Sequence, residues 1–397
     1  MFLALAIGSF CIAFALALGL NWLALIPWRR SAGRHWTERA RLLYPAQKSA
    51  RLNNWVIPFL LGLMSYLWFP GIHFLYAGIA GFIGALSAGY FLNREAFPNL
   101  QFGQWFRLIV AGVLLFFFWW FVLIFAAFDM PDNFGATTWC VATGIFILFV
   151  AFQSGMGLLL LRWLGLLHPA TQNLKTLVAE VSQQMHVSVR STWILDTFLS
   201  NAAAFPHSRQ LVFTGKLLST ATDEEIKAIC AHELGHLNES RTVLLARTLA
   251  AFVFYPLIFA RPFSSLGRSG INVYFFLMTG SLILFLTGVR VARRMEKRAD
   301  KIAAENLTDT AVYAQALERL YETNRVPAVT PLRTPKIHPD LYDRMVAAGV
   351  KPDFPKPLPP KSQCWTSRLL IIVAAGVPIG GIFMKAFMAA WTTMGVH

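Results

Sequence analysis

Charge is scarce in this sequence. Of 397 residues only 14% are Asp, Glu, Lys or Arg, against 56% hydrophobic, whereas a water-soluble domain carries about 25% charge. That balance excludes a solvent-coated globule of ordinary surface, and a disordered or collagen-like chain with it. Cysteine is scarce too. Cys11, Cys140, Cys230 and Cys364 show no paired spacing, which excludes a disulfide framework and a cysteine zinc site. No unit repeats at a fixed period. No basic stripe interleaved with stacking aromatics lies in a polar segment, so nucleic acid is excluded as a partner despite a net charge of +15.

What is there is a series of long apolar runs. Segments 1–27, 55–92, 108–128, 137–161, 242–260, 271–289 and 369–391 contain Arg247 and Lys385 as their only charged side chains. Runs near 20 residues match the hydrocarbon thickness of a bilayer. The first lacks a basic leader and exceeds a signal-peptide core, and Arg29 and Arg30 follow it, so it reads as a retained span. Segment 55–92 is too long for one crossing, and Pro70-Gly71 near its middle predicts a tight hairpin of two short helices, giving eight crossings.

Charge placement sets the topology. Loop 28–54 holds Arg29, Arg30, Arg34, Arg39, Arg41, Lys48 and Arg51 against Glu38, and Arg290, Arg293, Arg294, Lys297 and Arg298 follow the sixth run. Loop 129–136 carries only Asp129 and Asp132, while loop 261–270, with Arg261 and Arg268, dissents mildly. The positive-inside bias then places both termini outside and the long polar blocks in the cytoplasm. His73, beside the hairpin, is expected at the interface, Arg247 and Lys385 to snorkel, and the aromatic run Phe116 to Trp120 to face lipid.

Five spans therefore occupy 1–161. Polar blocks 162–241 and 290–350 flank a two-span hairpin at 242–289, emerge on one side and can combine into a single domain. A proline-rich connector at 351–368 leads to the C-terminal span within 369–397. In the first block, Leu174, Leu177, Val178 and Val181 predict a helix over 172–184, and β-prone runs follow at 192–198, 201–205 and 209–214. Thr222 with Glu225 three residues on is a capping box that opens the next helix.

That helix carries His232-Glu233-Leu234-Gly235-His236. Two histidines four apart share a helix face and can reach one ion, and Glu233 is rotated so that its carboxylate can meet a water there. Two solvated histidines are the plainer alternative. A catalytic zinc needs a third protein ligand and an open position. Glu296 and Asp300, four apart just beyond the sixth run, can supply a ligand and an orienting carboxylate; the plainer alternative is that they balance the neighbouring basic cluster. Cys230 points off the ligand face and is expected to pack.

The combination resembles the gluzincin membrane metallopeptidases that include the CAAX prenyl endopeptidases and the HtpX-like peptidases. The matching stretches are Ser200 to Ala204, Leu211 to Leu218 with Asp223 to Glu225 leading into His232 to His236, Glu296 to Asp300, and His338-Pro339 with Arg344. The resemblance covers about 170 to 345. It implies a multi-span α-helical membrane protein with an α+β zincin-like catalytic domain on the cytoplasmic face, of a bacterial inner membrane or its equivalent. It implies Zn2+ held by His232, His236 and Glu296, Glu233 as general base, and Asp300 behind the ligands. It implies an edge strand of Asn201, Ala202 and Ala203 that pairs with a peptide or protein substrate, and His338 and Arg344 near the oxyanion. Substrates of such enzymes are C-termini processed in CAAX fashion or membrane proteins under quality control. Two other readings stay open: a signal-responsive membrane peptidase that cleaves a regulator, and a non-catalytic zinc-binding scaffold or transporter, against which the intact Glu233 speaks.

Overall fold

The computed structural model describes residues 2–68, 73–306, 310–331 and 339–376. Pro70-Gly71, His338 and the last apolar run beyond residue 376, with Lys385, lie outside the described residues. The chain divides into two compact units, Met1–Phe102 with Arg325–Thr334 and Phe354–His397, and Gly103–Asn324 with Pro335–Asp353.

The first unit is built on α1 (Phe2–Ala24), the short α2 (Ile26–Arg29), α3 (Trp36–Trp68) and α4 (His73–Ala96). Small side chains let the helices close: Ala13, Ala17, Ala85 and Ala88 are fully buried around Ile57. A Cβ at Gly84 would lie 2.4 Å from the Phe10 carbonyl oxygen, so only glycine permits the approach of α1 to α4. Two buried amides join the helices, Asn53 Nδ2 donating to Asn21 Oδ1 at 2.9 Å. Within segment 55–92, α3 ends at Trp68 and α4 begins at His73, which stacks on Phe2. One expectation changes: the basic segment 28–54, read as a connecting loop, is helical from Trp36 onward as the first half of α3. Its Arg, Leu, Ala, Gln and Lys content favours helix, and the helix runs through Pro45 and Pro58.

The second unit opens with α5 (Phe102–Gly112) and α6 (Phe118–Asp129), joined by a π-helical turn, then α7 (Ala136–Ala151) and α8 (Gly157–Trp163), joined by another. Phe118 and Trp119 turn onto Phe152 of the second turn, so this part of the aromatic run packs against protein. Then follow β1 (Leu167–Pro169), α9 (Gln172–Gln184), β2 (Ser191–Leu195), β3 (Ala202–Phe205) and β4 (Gln210–Thr214). After them come α10 (Gly215–Thr220), α11 (Asp223–Leu237), α12 (Arg241–Ala251), α13 (Ala260–Ser265), α14 (Gly267–Glu305), α15 (Thr310–Asn324) and α16 (Leu341–Ala347). α9 has the predicted bounds, and the three β-prone runs are strands within a few residues. The sheet order is β1-β2-β4-β3, with β2 and β4 parallel and the outer pairs antiparallel. β3 is therefore an edge strand.

Among the described residues, four helices are long and apolar enough to cross a membrane: Phe2–Arg29, His73–Ala96, Ala136–Trp163 and Gly267–Glu305. The pair Arg241–Ala251 and Tyr255–Ser265, bent by 48°, counts as a fifth if it is one span, and Phe102–Leu115 and Trp365–Gly376 are shorter apolar helices. α14 exposes Phe275, Phe276, Leu282 and Ile283 over its apolar stretch, as a lipid-facing helix does. The same helix continues past Val289 and carries Glu296 and Asp300 into the second polar block without a break.

Candidate metal and active site

α11 begins as its sequence demands. Thr222 Oγ1 accepts the Glu225 N–H at 3.3 Å and Glu225 Oε2 accepts the Thr222 N–H at 2.8 Å, so both halves of the capping box are made. Glu225 is itself buried and receives Arg319 Nε at 2.9 Å, tying the helix start to α15. From Ile226 to Leu237 the helix is almost wholly enclosed, His232, Glu233 and His236 included. Gly235 is the point of closest approach to α14: a Cβ there would stand 3.2 Å from Ala299 Cα. Its lack of a side chain lets α14 deliver Glu296 and Asp300 to the two histidines.

Those histidines converge on Glu296. His232 Nε2 lies 3.7 Å from Glu296 Oε2 and His236 Nε2 lies 3.6 Å from Glu296 Oε1. One donor atom from each of the three residues falls within 4.8 Å of the others. A tetrahedral ion with bonds of about 2.0–2.2 Å holds its ligands about 3.4 Å apart, so the set fits zinc. The electrostatics agree. Burial alone would lower the His236 pKa, but its hydrogen bonds to Glu239 and Glu296 and the charges of Glu233 and Glu296 raise it to about 10. A site that holds a proton so firmly is short of positive charge.

Each imidazole is gripped from behind. His236 Nδ1–H donates to Glu239 Oε1 at 2.8 Å. His232 Nδ1 lies 2.9 Å from the Tyr313 hydroxyl and 3.1 Å from Asp300 Oδ1. Tyr313 in turn donates to Asp300 Oδ1 at 2.6 Å. Arg344 closes this network, with Nε to Asp300 Oδ2 at 3.0 Å and Nη2 to Asp300 Oδ1 at 2.6 Å and to the Tyr313 hydroxyl at 2.9 Å. Burial, ahead of the Asp300 charge, pushes the Tyr313 phenol well above its ordinary value against the opposing pull of Arg344, so it stays neutral and can donate. With Nε2 of both rings turned to Glu296 and Nδ1 to a carboxylate, the form with Nδ1–H and a free Nε2 lone pair is the one in which each ring can ligate a metal.

A cavity of about 330 Å³ spans the group, with Glu233, Arg344 and the edge-strand residues Asn201 to Ala204 in its wall. The strand is fixed at its start: the Asn201 N–H donates to Thr214 Oγ1 at 2.8 Å, and Asn324 clamps Ser200 through a 2.7 Å bond from its N–H and a 2.6 Å bond to its carbonyl. Cys230 is fully buried, and burial followed by the Glu233 charge raises its thiol pKa, in keeping with packing. Arg247, expected to snorkel, instead donates to both oxygens of Glu239 and borders the cavity. A buried carboxylate is a stronger partner than the interface. Tyr313, Glu239 and Asn324 went unnoticed in the sequence. Glu239 alone left a signal, three residues after His236 on the same helical face; Tyr313 and Asn324 reach the site by tertiary packing only.

Residues 169–349 match Peptidase family M48. The chain is 28% identical over 170 residues to Protease HtpX of Pseudomonas aeruginosa strain LESB58, covering 39% of this chain and 58% of that protein. It is 27% identical over 170 residues to Protease HtpX of Pseudomonas putida, covering 39% of this chain and 57% of that protein. The chain thus spans somewhat over half the length of these relatives. The resemblance to HtpX-like gluzincin membrane metallopeptidases, drawn from the motifs, is borne out over this domain.

Proposed function

We infer that this chain is an integral-membrane zinc endopeptidase whose ligands are His232, His236 and Glu296 and whose general base is Glu233. The observation that carries the reading is convergence: two imidazoles with their Nε2 atoms turned to one carboxylate, beside a second carboxylate, in a cavity walled by an edge strand. A zinc ion bound there supplies a Lewis acid that polarises a carbonyl and acidifies water. Glu233 takes the proton of the attacking water and returns it to the leaving amine. Asn201, Ala202 and Ala203 pair with an extended substrate backbone and hold the scissile bond in register, and the short alanine side chains leave room for those of the substrate. Asp300 orients His232. Arg344, in the cavity wall, takes the oxyanion side from a guanidinium already committed to Asp300, and the resemblance gives His338 a role beside the oxyanion.

The basic run Arg290 to Arg298 at the end of the apolar part of α14 supports a cytoplasmic peptidase domain. The seven apolar runs of the sequence, one of them long enough for two passes, support about eight crossings, of which the described residues supply four long apolar helices and a fifth if the bent pair is one span. Substrates are C-terminal or membrane-protein segments delivered at that face. The test is purified full-length protein in detergent. Stoichiometric zinc and peptide cleavage that a chelator abolishes and zinc restores are expected; stoichiometric zinc with no turnover on any peptide would favour a zinc-binding scaffold instead.

A further inference from the structure

The carboxylate and arginine behind His232 belong to a motif known from its spacing, but His236 has a carboxylate and an arginine of its own. Glu239 leaves only 1% of its side chain exposed. Its Oε1 accepts the His236 Nδ1–H at 2.8 Å, and Arg247 Nη1 donates to Oε1 at 2.9 Å and to Oε2 at 2.7 Å. A carboxylate buried so completely needs a cation beside it. Arg247 is that cation. It comes from α12, the first half of the bent apolar pair, where an ionisable side chain needs a reason to be.

We propose that Glu239 and Arg247 are a positioning pair for the metal ligand His236, through which the apolar helix α12 holds one side of the metal site. This rests on the zinc reading above. The chemistry is indirect: Glu239 holds the Nδ1–H of His236, keeps Nε2 turned to the metal side and makes the imidazole a better donor, while Arg247 holds Glu239 in place through both carboxylate oxygens. The arrangement repeats at His232, where Asp300 and Arg344 stand in the same relation. Both ring nitrogens that face the metal position are thus backed by a carboxylate, and each carboxylate by an arginine.

A merely structural role, in which the pair only ties α12 to the end of α11, predicts lost stability with unchanged zinc retention. The test therefore reads zinc directly. Full-length wild type, Glu239→Gln, Arg247→Met and Arg247→Lys are loaded with zinc in detergent, and metal loss to excess EDTA is followed with a zinc indicator. Zinc loss about 10–100-fold faster is expected for Glu239→Gln and Arg247→Met, with Arg247→Lys recovering part of the difference, in variants whose circular dichroism matches wild type. Should the Glu239 variant not fold, the Arg247 pair carries the test, since that side chain is 39% exposed. Wild-type rates in folded Arg247→Met would overturn the proposal and leave the zinc reading standing. A wild-type protein that takes up no zinc would overturn both.

Discussion

Replacing Arg344 with methionine tests how the metal site is held. Arg344 donates twice to Asp300 and once to Tyr313 from a side chain only 7% exposed, against 19% for Asp300. Methionine fills much of the volume but leaves Asp300 without its cation. Removing one partner of a buried ion pair costs about 3–5 kcal/mol. Asp300 keeps the Tyr313 hydroxyl at 2.6 Å and is partly exposed, so the lower end, about 3 kcal/mol, applies. At roughly 2–4 °C per kcal/mol for a domain of this size, the unfolding midpoint falls by about 6–12 °C. The assay is thermal unfolding of the full chain in detergent, followed by tryptophan fluorescence, on Arg344→Met, Asp300→Asn and the double variant. Coupling of about 1 kcal/mol or more between the two positions is expected. A midpoint within about 2 °C of wild type, with peptide cleavage lost, would refute the reasoning and make Arg344 a substrate-facing group only.

Other consequences follow from the same geometry. Tyr313→Phe removes a hydroxyl with three polar neighbours while His232 Nδ1 keeps Asp300 at 3.1 Å; the expected loss is about 1.5–3 kcal/mol in the same thermal assay, and no change would discount the hydroxyl. Gly235→Ala puts a Cβ 3.2 Å from Ala299 Cα, so α14 must shift, at about 1–3 kcal/mol and with weaker zinc binding; wild-type zinc affinity measured by competition would show that α11 and α14 need not touch there. The His236 pKa, raised to about 10, means that a proton competes with the metal for Nε2. Zinc uptake near pH 7 then releases about one proton from this residue, and apparent affinity weakens as pH falls, by about tenfold per unit. Calorimetry in two buffers of different ionisation enthalpy checks this, and uptake without proton release would contradict it.

Local signals were legible in this chain and tertiary ones were not. The capping box at Thr222 and Glu225, the apolar spacing of α9 and the HExxH pair depend on neighbours within a turn or two, and each forms as read. Glu296 was legible because α14 continues from an apolar run with no break, which fixes where the chain next meets α11. β1 is three residues with Pro169 at its end and carries no periodicity to find. The first half of α3 was hidden for the opposite reason: its charges suggested a connecting loop, while its residues favour helix. Tyr313 and Arg247 take their positions from the packing of α15 and α12, which no spacing in the sequence encodes.

The central claim is that Glu233 does chemistry at a metal site that it does not help to build. The most direct measurement pairs zinc content with cleavage for Glu233→Gln in the full-length protein, because glutamine keeps the shape and removes the base. Wild-type zinc stoichiometry with peptide cleavage reduced to background is the predicted result. Undiminished cleavage by the zinc-loaded variant would contradict the account.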